Sequence, residues 1–324
     1  MSIRKIISLT LALALALGVM TFAAADEAAP VRIASLKGPT SMGLVKLMDA
    51  NDKGESAQSY EFTLSGTANE IIPLLTRGDL DIAMVPCNLA SVLYNNTQGK
   101  VKVVAVNTLG VLYVVENGEE IQSVADLAGK TVYSTGKGTT PEFALNYILA
   151  SNGLDPENDL TIEYKSEATE VLAALTGDAA GIGVLPQPYV TAALAQNESL
   201  RVALNLTEEW DKVSEDSRMI TGVAVARAAF IEENPEALAA FLEEYAASVE
   251  YVNANVEEAA QWIADLGIVA KAPIAQKALP ACNIVYIDGE EMKTAVSGYL
   301  AVLFDQNPEA VGGQLPDEAF YYIP

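Results

Sequence analysis

Apolar and polar positions alternate from residue 31 onward in blocks that predict repeated strand, turn and helix units. Val31 to Leu36 reads as a short strand, Lys37-Gly38-Pro39-Thr40-Ser41 as a turn, and Met42, Val45, Leu47 and Met48 as the apolar face of a helix. Tyr60 to Leu64, Ser65-Gly66-Thr67 and Ala68 to Thr76 repeat the unit. Leu80 to Val85 is an almost continuous apolar run, the pattern of a parallel strand covered on both faces. Pro86-Cys87-Asn88 then leads into a helix over Leu89 to Tyr94, with Asn88 expected as its N-cap. Two more strand-like runs, Val101 to Val106 and Val111 to Val115, are interrupted at Asn107-Thr108, which places a first crossing between two halves there.

The pattern restarts beyond that point. A helix over Val124 to Leu127 ends at Gly129, Thr131 to Ser134 is a strand, and Gly136-Lys137-Gly138-Thr139-Thr140 leads into a helix over Pro141 to Ser151. Leu160 to Tyr164, Ala168 to Thr176, Gly181 to Leu185 and the helix after Pro186-Gln187-Pro188 continue the series. The strand Leu200 to Leu204 and a polar stretch over Thr207 to Arg218 precede Thr221 to Ala226, the expected return crossing. From Pro235 the chain reads as helical, over Ala237 to Val252, Val256 to Leu266, Pro273 to Leu279 and Gly289 to Phe304, and these helices are expected to finish covering the first half. The fold expected is α/β, two doubly wound lobes joined by a two-strand hinge, with residues 26–108 and 219–324 in lobe 1 and 109–218 in lobe 2. About 300 residues suits two lobes, because single cores stop growing near ~250–300 residues.

The amino terminus changes the compartment. Arg4 and Lys5 precede an apolar run from Ile6 to Phe22 that ends in Ala23-Ala24-Ala25, which reads as a secretory signal peptide over residues 1–25, cleaved near Ala25. The run is short for a membrane span. No cysteine lies near the cleavage point to carry a lipid, so a soluble, periplasmic monomer is expected rather than a membrane-embedded protein.

Charge and composition then remove whole classes of function. The chain holds 43 acidic and 19 basic residues, a formal net charge of −24 that repels nucleic acid and anionic membrane surfaces. It has no histidine, which excludes Ser-His-Asp and Cys-His catalysis and makes a zinc site an unusual one of carboxylates and thiols. No cofactor is expected. Cys87 and Cys282 are compatible either with one bridge in an oxidising compartment or with two separate buried thiols.

Candidate chemistry gathers at the strand ends, where open α/β sheets bind ligands. Hydroxyl-rich turns at helix starts suit carboxylate, sulfonate, phosphate or carbonyl oxygens. Such residues also cap helices without any ligand, but Gly38, Thr40 and Ser41 open one half as Gly136, Thr139 and Thr140 open the other, and the pairing favours a shared cleft. Gly136-Lys137-Gly138 lacks the Walker spacing, since Gly138 separates Lys137 from Thr139. Lys37 can pair with an anionic group, and Tyr189, just past a strand end, offers apolar surface, whereas Tyr113 and Trp210 read as core. Asn107, at the expected crossing, joins the ligand-binding candidates.

Ser123-Val124-Ala125-Asp126-Leu127-Ala128-Gly129-Lys130, followed by Gly136-Lys137-Gly138-Thr139 and Asn152-Gly153-Leu154, resembles the second-lobe opening of type II periplasmic solute-binding proteins of ABC transporters, in the branch that carries nitrate, sulfonates, taurine and thiamine precursors. Leu74 to Ala83, Ala174 to Gly177, Leu185-Pro186-Gln187-Pro188-Tyr189 and Phe230 to Glu236 extend the resemblance over nearly the whole chain. It implies two lobes that grip a small molecule and deliver it to a membrane permease. By the same resemblance, contacts come from Lys37 to Ser41, Ser65 to Thr67, Cys87 and Asn88, Gly136 to Thr140, and Gln187 with Pro188. Gln187 departs from the pattern, standing where many relatives carry Glu. The alternative is a non-metal enzyme on the same fold, of the menaquinone-pathway or pyrimidine-synthase kind; the latter uses a histidine that this chain lacks.

Overall fold

The computed structural model describes residues 29–177 and 181–324. The signal-peptide reading therefore lies outside the described residues. Among them, the strand-turn-helix units resolve into two sheets of the same design.

In the first sheet β1 (Val31–Leu36) pairs in parallel with β2 (Tyr60–Ser65) and β3 (Ile82–Pro86). The turns between them carry α1 (Pro39–Met42), α2 (Val45–Asp52) and α3 (Ala68–Arg77), and α4 (Cys87–Thr97) follows β3. The single helix expected from Met42 to Met48 is two, broken at Gly43. β4 (Val101–Leu109) then crosses to the second half. There β6 (Thr131–Thr135) pairs in parallel with β7 (Thr161–Lys165) and β8 (Ile182–Pro186). The helices of this half are α5 (Thr140–Ser151), α6 (Ala168–Gly177) and α7 (Tyr189–Gln196).

Each sheet completes itself with a strand delivered from the other half. β5 (Leu112–Asn117) arrives from β4 and lies antiparallel between β8 and β9 (Leu200–Asn205). β10 (Ile220–Arg227) returns after α8 (Leu206–Val213) and lies antiparallel between β3 and β4. The resulting orders are β11-β4-β10-β3-β1-β2 and β7-β6-β8-β5-β9.

Several local expectations are corrected. Asn107 and Thr108 do not interrupt a strand: β4 runs through them because β10 pairs on one side and β11 (Ile284–Ile287) on the other, and paired backbone outweighs local turn preference. The crossing falls instead at Gly110 and Val111. Thr207 to Arg218 is not simply a polar connection, since α8 forms there with the Asn205 side chain accepting from the Thr207 amide at 3.1 Å. Asn88 is not an N-cap, because α4 begins at Cys87 after Pro86, and the Asn88 amide instead donates to the Ala310 carbonyl at 3.2 Å. Val124–Leu127 is a 3-10 turn closed by a Ser123–Asp126 capping box.

Beyond β10 come α9 (Ala228–Glu233), α10 (Pro235–Ala254), α11 (Val256–Asp265), α12 (Ala272–Ala278) and, after β11, α13 (Gly289–Gln306). These do more than cover the first sheet. Tyr299 of α13 packs at a tilt against Trp210 of α8, which packs likewise against Tyr147 of α5, and Gln306 donates to the Phe143 carbonyl at 3.1 Å. Trp210 is fully buried with its indole N–H bonded to Ser217 at 3.0 Å, as a core residue should be.

Candidate functional site

Strand ends from both sheets converge on a cavity of about 550 Å³. The first half contributes the turn after β1, including Lys37, Gly38 and Thr40, with Asn88 of α4; the second contributes Thr139 and Thr140 at the start of α5, and Gln187 and Tyr189 after β8. Thr221, on the returning strand β10, also faces this cavity. A second cavity of about 700 Å³ adjoins it, sharing Lys37, Gly38, Pro188 and Tyr189 as a common wall. Both volumes lie in the ~300–1,000 Å³ range of small-molecule sites.

Among the candidates named from sequence, Lys37, Gly38, Thr40, Asn88, Thr139, Thr140, Gln187 and Tyr189 line the inner cavity. Ser41, Ser65, Thr67, Cys87, Asn107 and Gly136 do not line either cavity. Ser41 is buried beneath the turn, its hydroxyl donating to the Gly38 carbonyl at 3.0 Å, and Ser65 is buried at the end of β2. Asn107 is buried behind Thr40, with its amide 3.5 Å from the Thr40 carbonyl oxygen. Cys87 is fully buried, and desolvation pushes its thiol far above the ordinary range. Cys282 is likewise free and buried, pushed up to about 12 by the same cause. The two-thiol reading of the cysteines is the one the structure shows.

A hydroxyl has one proton, so its partners decide whether it can donate to a ligand. Thr40 gives its proton to the Leu36 carbonyl at 3.0 Å and Thr139 gives its own to the Gly136 carbonyl at 2.6 Å. Both therefore shape the turns. Thr140 and Thr221 both line the cavity, but the Thr140 hydroxyl is turned to the buried Tyr299 hydroxyl, which leaves Thr221 as the freer donor of the two. Gln187 accepts from the amide and hydroxyl of Thr191 at 3.3 and 2.8 Å, which fixes its oxygen and leaves its NH₂ group as the donor end.

Helix starts are also less open than their sequence suggests. Glu70 accepts from the Gly66 amide at 3.2 Å, Glu142 from the Gly138 amide, and Glu170 from the Ser166 amide at 2.9 Å. The chain's own carboxylates thus occupy the starts of α3, α5 and α6, where an anion would otherwise sit. A Glu four residues after each turn amide was the available sequence signal. Lys137 lies over the Tyr164 ring, 5.7 Å from its centroid, and lines neither cavity of the cleft.

The electrostatics of the cleft oppose those of the chain. Among the described residues lining the two cavities, none is acidic, whereas Lys37 and Lys271 are present. Sequence reasoning missed Lys271 and treated Thr221 only as a crossing residue. Nothing in the apolar stretch around Lys271 marks it locally as a cleft residue.

The fold and cleft define a two-lobed α/β binding protein. Residues 54–278 match the model of the phosphonate-binding family, described as ABC transporter, phosphonate, periplasmic substrate-binding protein, and the chain belongs to this family. The resemblance found in its motifs holds at that level. The family is one of binding proteins rather than enzymes, and it brings a small-molecule ligand and a transporter permease as partners. Among the described residues no helix is long and apolar enough to cross a membrane. No curated protein sequence matches the chain. Similar solved structures include an ABC transporter protein from Parabacteroides distasonis, at 24% identity over 91% of this chain and 98% of that one, with a TM-score of 0.75. Another is the aliphatic sulphonate binding protein SsuA from Escherichia coli, at 19% identity over 91% and 92%, with a TM-score of 0.72. A periplasmic sulfonate-binding SsuA from Methylobacillus flagellatus matches at 17% identity over 92% of each chain, with a TM-score of 0.69. These likenesses establish a shared fold.

Proposed function

We propose that this binding protein captures a small organic anion carrying a sulfonate or phosphonate group, held between its two lobes. One observation carries the reading: a chain of net charge −24 lines its two cleft cavities with no carboxylate and presents Lys37, Lys271 and the donors of Thr221 and Gln187 there. Oxyanions need donors and no acceptors, and low-dielectric walls strengthen each such bond. The phosphonate description of the family and the sulfonate-binding neighbours agree with this head group.

Lobe 1 in this reading is built on the first sheet and lobe 2 on the second, and they rotate about the strands flanking Gly110 and the segment that enters β10. Ligand contacts to Lys37 on one side and Thr140 and Gln187 on the other supply the closure energy. Binding stabilises the folded state by mass action. Methane- and ethanesulfonate, and methyl- and ethylphosphonate, are expected to raise the melting temperature, while neutral and cationic compounds of matching size leave it unchanged. A rise with cations and none with either anion series would reverse the assignment.

A further inference from the structure

We infer that the larger cavity is a second anion subsite, so that the protein selects bifunctional acids, with a sulfonate or phosphonate at one end and a carboxylate at the other, over anions whose far end is neutral or cationic. The inference rests on the anion reading above and deepens it.

Two lysines from distant parts of the chain meet at this cavity. Lys37 leaves the turn after β1, and Lys271 ends the segment between α11 and α12. Lys37 reaches toward that segment: a β-carbon on Gly267 would lie 3.8 Å from its Nζ. Neither lysine forms an ion pair among the described residues, although the chain holds 43 acidic residues. The rest of the lining adds no negative charge. Gln196, which ends α7, supplies a carboxamide from the side of the second sheet, and Ile268, Val269 and Ile274 are apolar. Like charges sharing one recess with low-dielectric walls repel each other and focus a positive potential, which an anion relieves.

The smaller cavity carries a different donor set. Thr221 and the Gln187 NH₂ group are uncharged donors there, and Lys37 stands on the wall that the two cavities share. With about 550 and 700 Å³ side by side, one tetrahedral oxyanion cannot serve both donor sets at once. A sulfonate or phosphonate on Thr221 and Gln187 leaves Lys271 to water. A carboxylate at the far end of the same ligand replaces that water with charge-assisted hydrogen bonds, whereas an ammonium there meets two like charges.

The test is calorimetric titration of the purified protein with matched sulfonates and phosphonates that end, across ethylene, propylene or butylene linkers, in a carboxylate, in the carboxamide of the same shape or in an ammonium group. At the linker that spans the cavities, the carboxylate is expected to bind about tenfold or more tighter than its carboxamide partner, the gain of one hydrogen bond to a charged group, and the ammonium compound weakest of all. Lys271→Met and Lys37→Met keep the stem and remove the charge at exposed positions. Each is expected to shrink the carboxylate-to-carboxamide ratio severalfold, with thermal melts to check that both variants remain folded. The ratio in the parent protein decides the subsite without either variant: carboxamides that bind as tightly as carboxylates at every linker overturn it while leaving the anion reading standing. A ratio that persists undiminished in both variants overturns its placement at the two lysines. Failure of every compound to bind overturns the anion reading and the subsite with it.

Discussion

The hydroxyl of Tyr113 donates to the carbonyl oxygen of Ala281 at 2.9 Å. Tyr113 lies in β5, the first strand of the second sheet, and Ala281 in the segment that leads into β11 of the first. Asn283 adds to the fastening, its amide reaching the Gly110 carbonyl at 2.5 Å while its own carbonyl accepts from the Leu109 amide at 3.1 Å. The point where the chain crosses between halves is therefore clasped by a segment nearly 170 residues further on.

Tyr113→Phe keeps the ring and removes the clasp. It leaves the Ala281 carbonyl with one partner fewer, at an expected cost of about 1 kcal/mol. Denaturant unfolding measures this directly. An unchanged midpoint would show that the bond contributes nothing net.

Gly222 is where the returning strand touches the turn after β1. A β-carbon there would lie 2.5 Å from Asn107 Oδ1 and 2.6 Å from Thr40 Cγ2. Gly222→Ala is expected to cost ~1–3 kcal/mol of stability by overpacking. Because Thr40 must shift, ligand affinity should fall as well, and a variant binding as tightly as the parent would contradict the coupling.

Thr221 is the cleft hydroxyl with a proton to spare, whereas that of Thr140 is turned to Tyr299. Replacing Thr221 by Val preserves shape and removes one bond to a charged group, a loss of about tenfold or more in affinity. Thr139→Val, by contrast, should act mainly on stability, since its hydroxyl already serves the Gly136 carbonyl. Titration calorimetry beside thermal melts separates the two; equal affinity losses at both positions would refute the division.

Asp81 sets an acid limit. Burial alone would raise its carboxyl, but hydrogen bonds from Arg32 and Arg227, each as short as 2.7 Å, outweigh it and hold the carboxyl below its ordinary value. A carboxyl depressed in the folded state contributes stability that is present above the unfolded pKa of about 3.9 and lost as pH falls through the lower folded value. Melting temperature should accordingly drop below about pH 4. The Asp81→Asn variant should show a shallower drop over that range; parallel curves would exclude this cluster as the source.

Both thiols should be silent to a water-soluble disulfide reagent in the native protein and react fully after denaturation. They are buried and unbridged, and desolvation disfavours the reactive thiolate. Native reactivity at either would contradict that burial.

Much of this architecture was legible because it is local. The uninterrupted apolar run ending at Val85 and the alternation of the early units identify parallel strands and their helices from residues a few positions apart. β11 was missed because four residues are too few to display a period, and it is a strand only through its pairing with β4. Asn107 and Thr108 were misjudged for the same reason, since two neighbouring strands override their turn preference. Of the site, the turns were legible and the roles within them were not. Thr40 and Thr221 both sit beside the cleft, and only the distance from Thr40 to the Leu36 carbonyl tells that its proton is already given away.

The sequence by itself determined a strongly acidic, histidine-free α/β chain with hydroxyl-rich turns at its strand ends, because composition and periodicity are properties of the chain alone. Tertiary structure decided which of those turns meet, which hydroxyls keep a proton for a guest, and that Lys37 and Lys271 share one carboxylate-free cleft. Those outcomes depend on groups brought together from more than 200 residues apart, as Lys37 and Lys271 are, and no local pattern encodes such a distance.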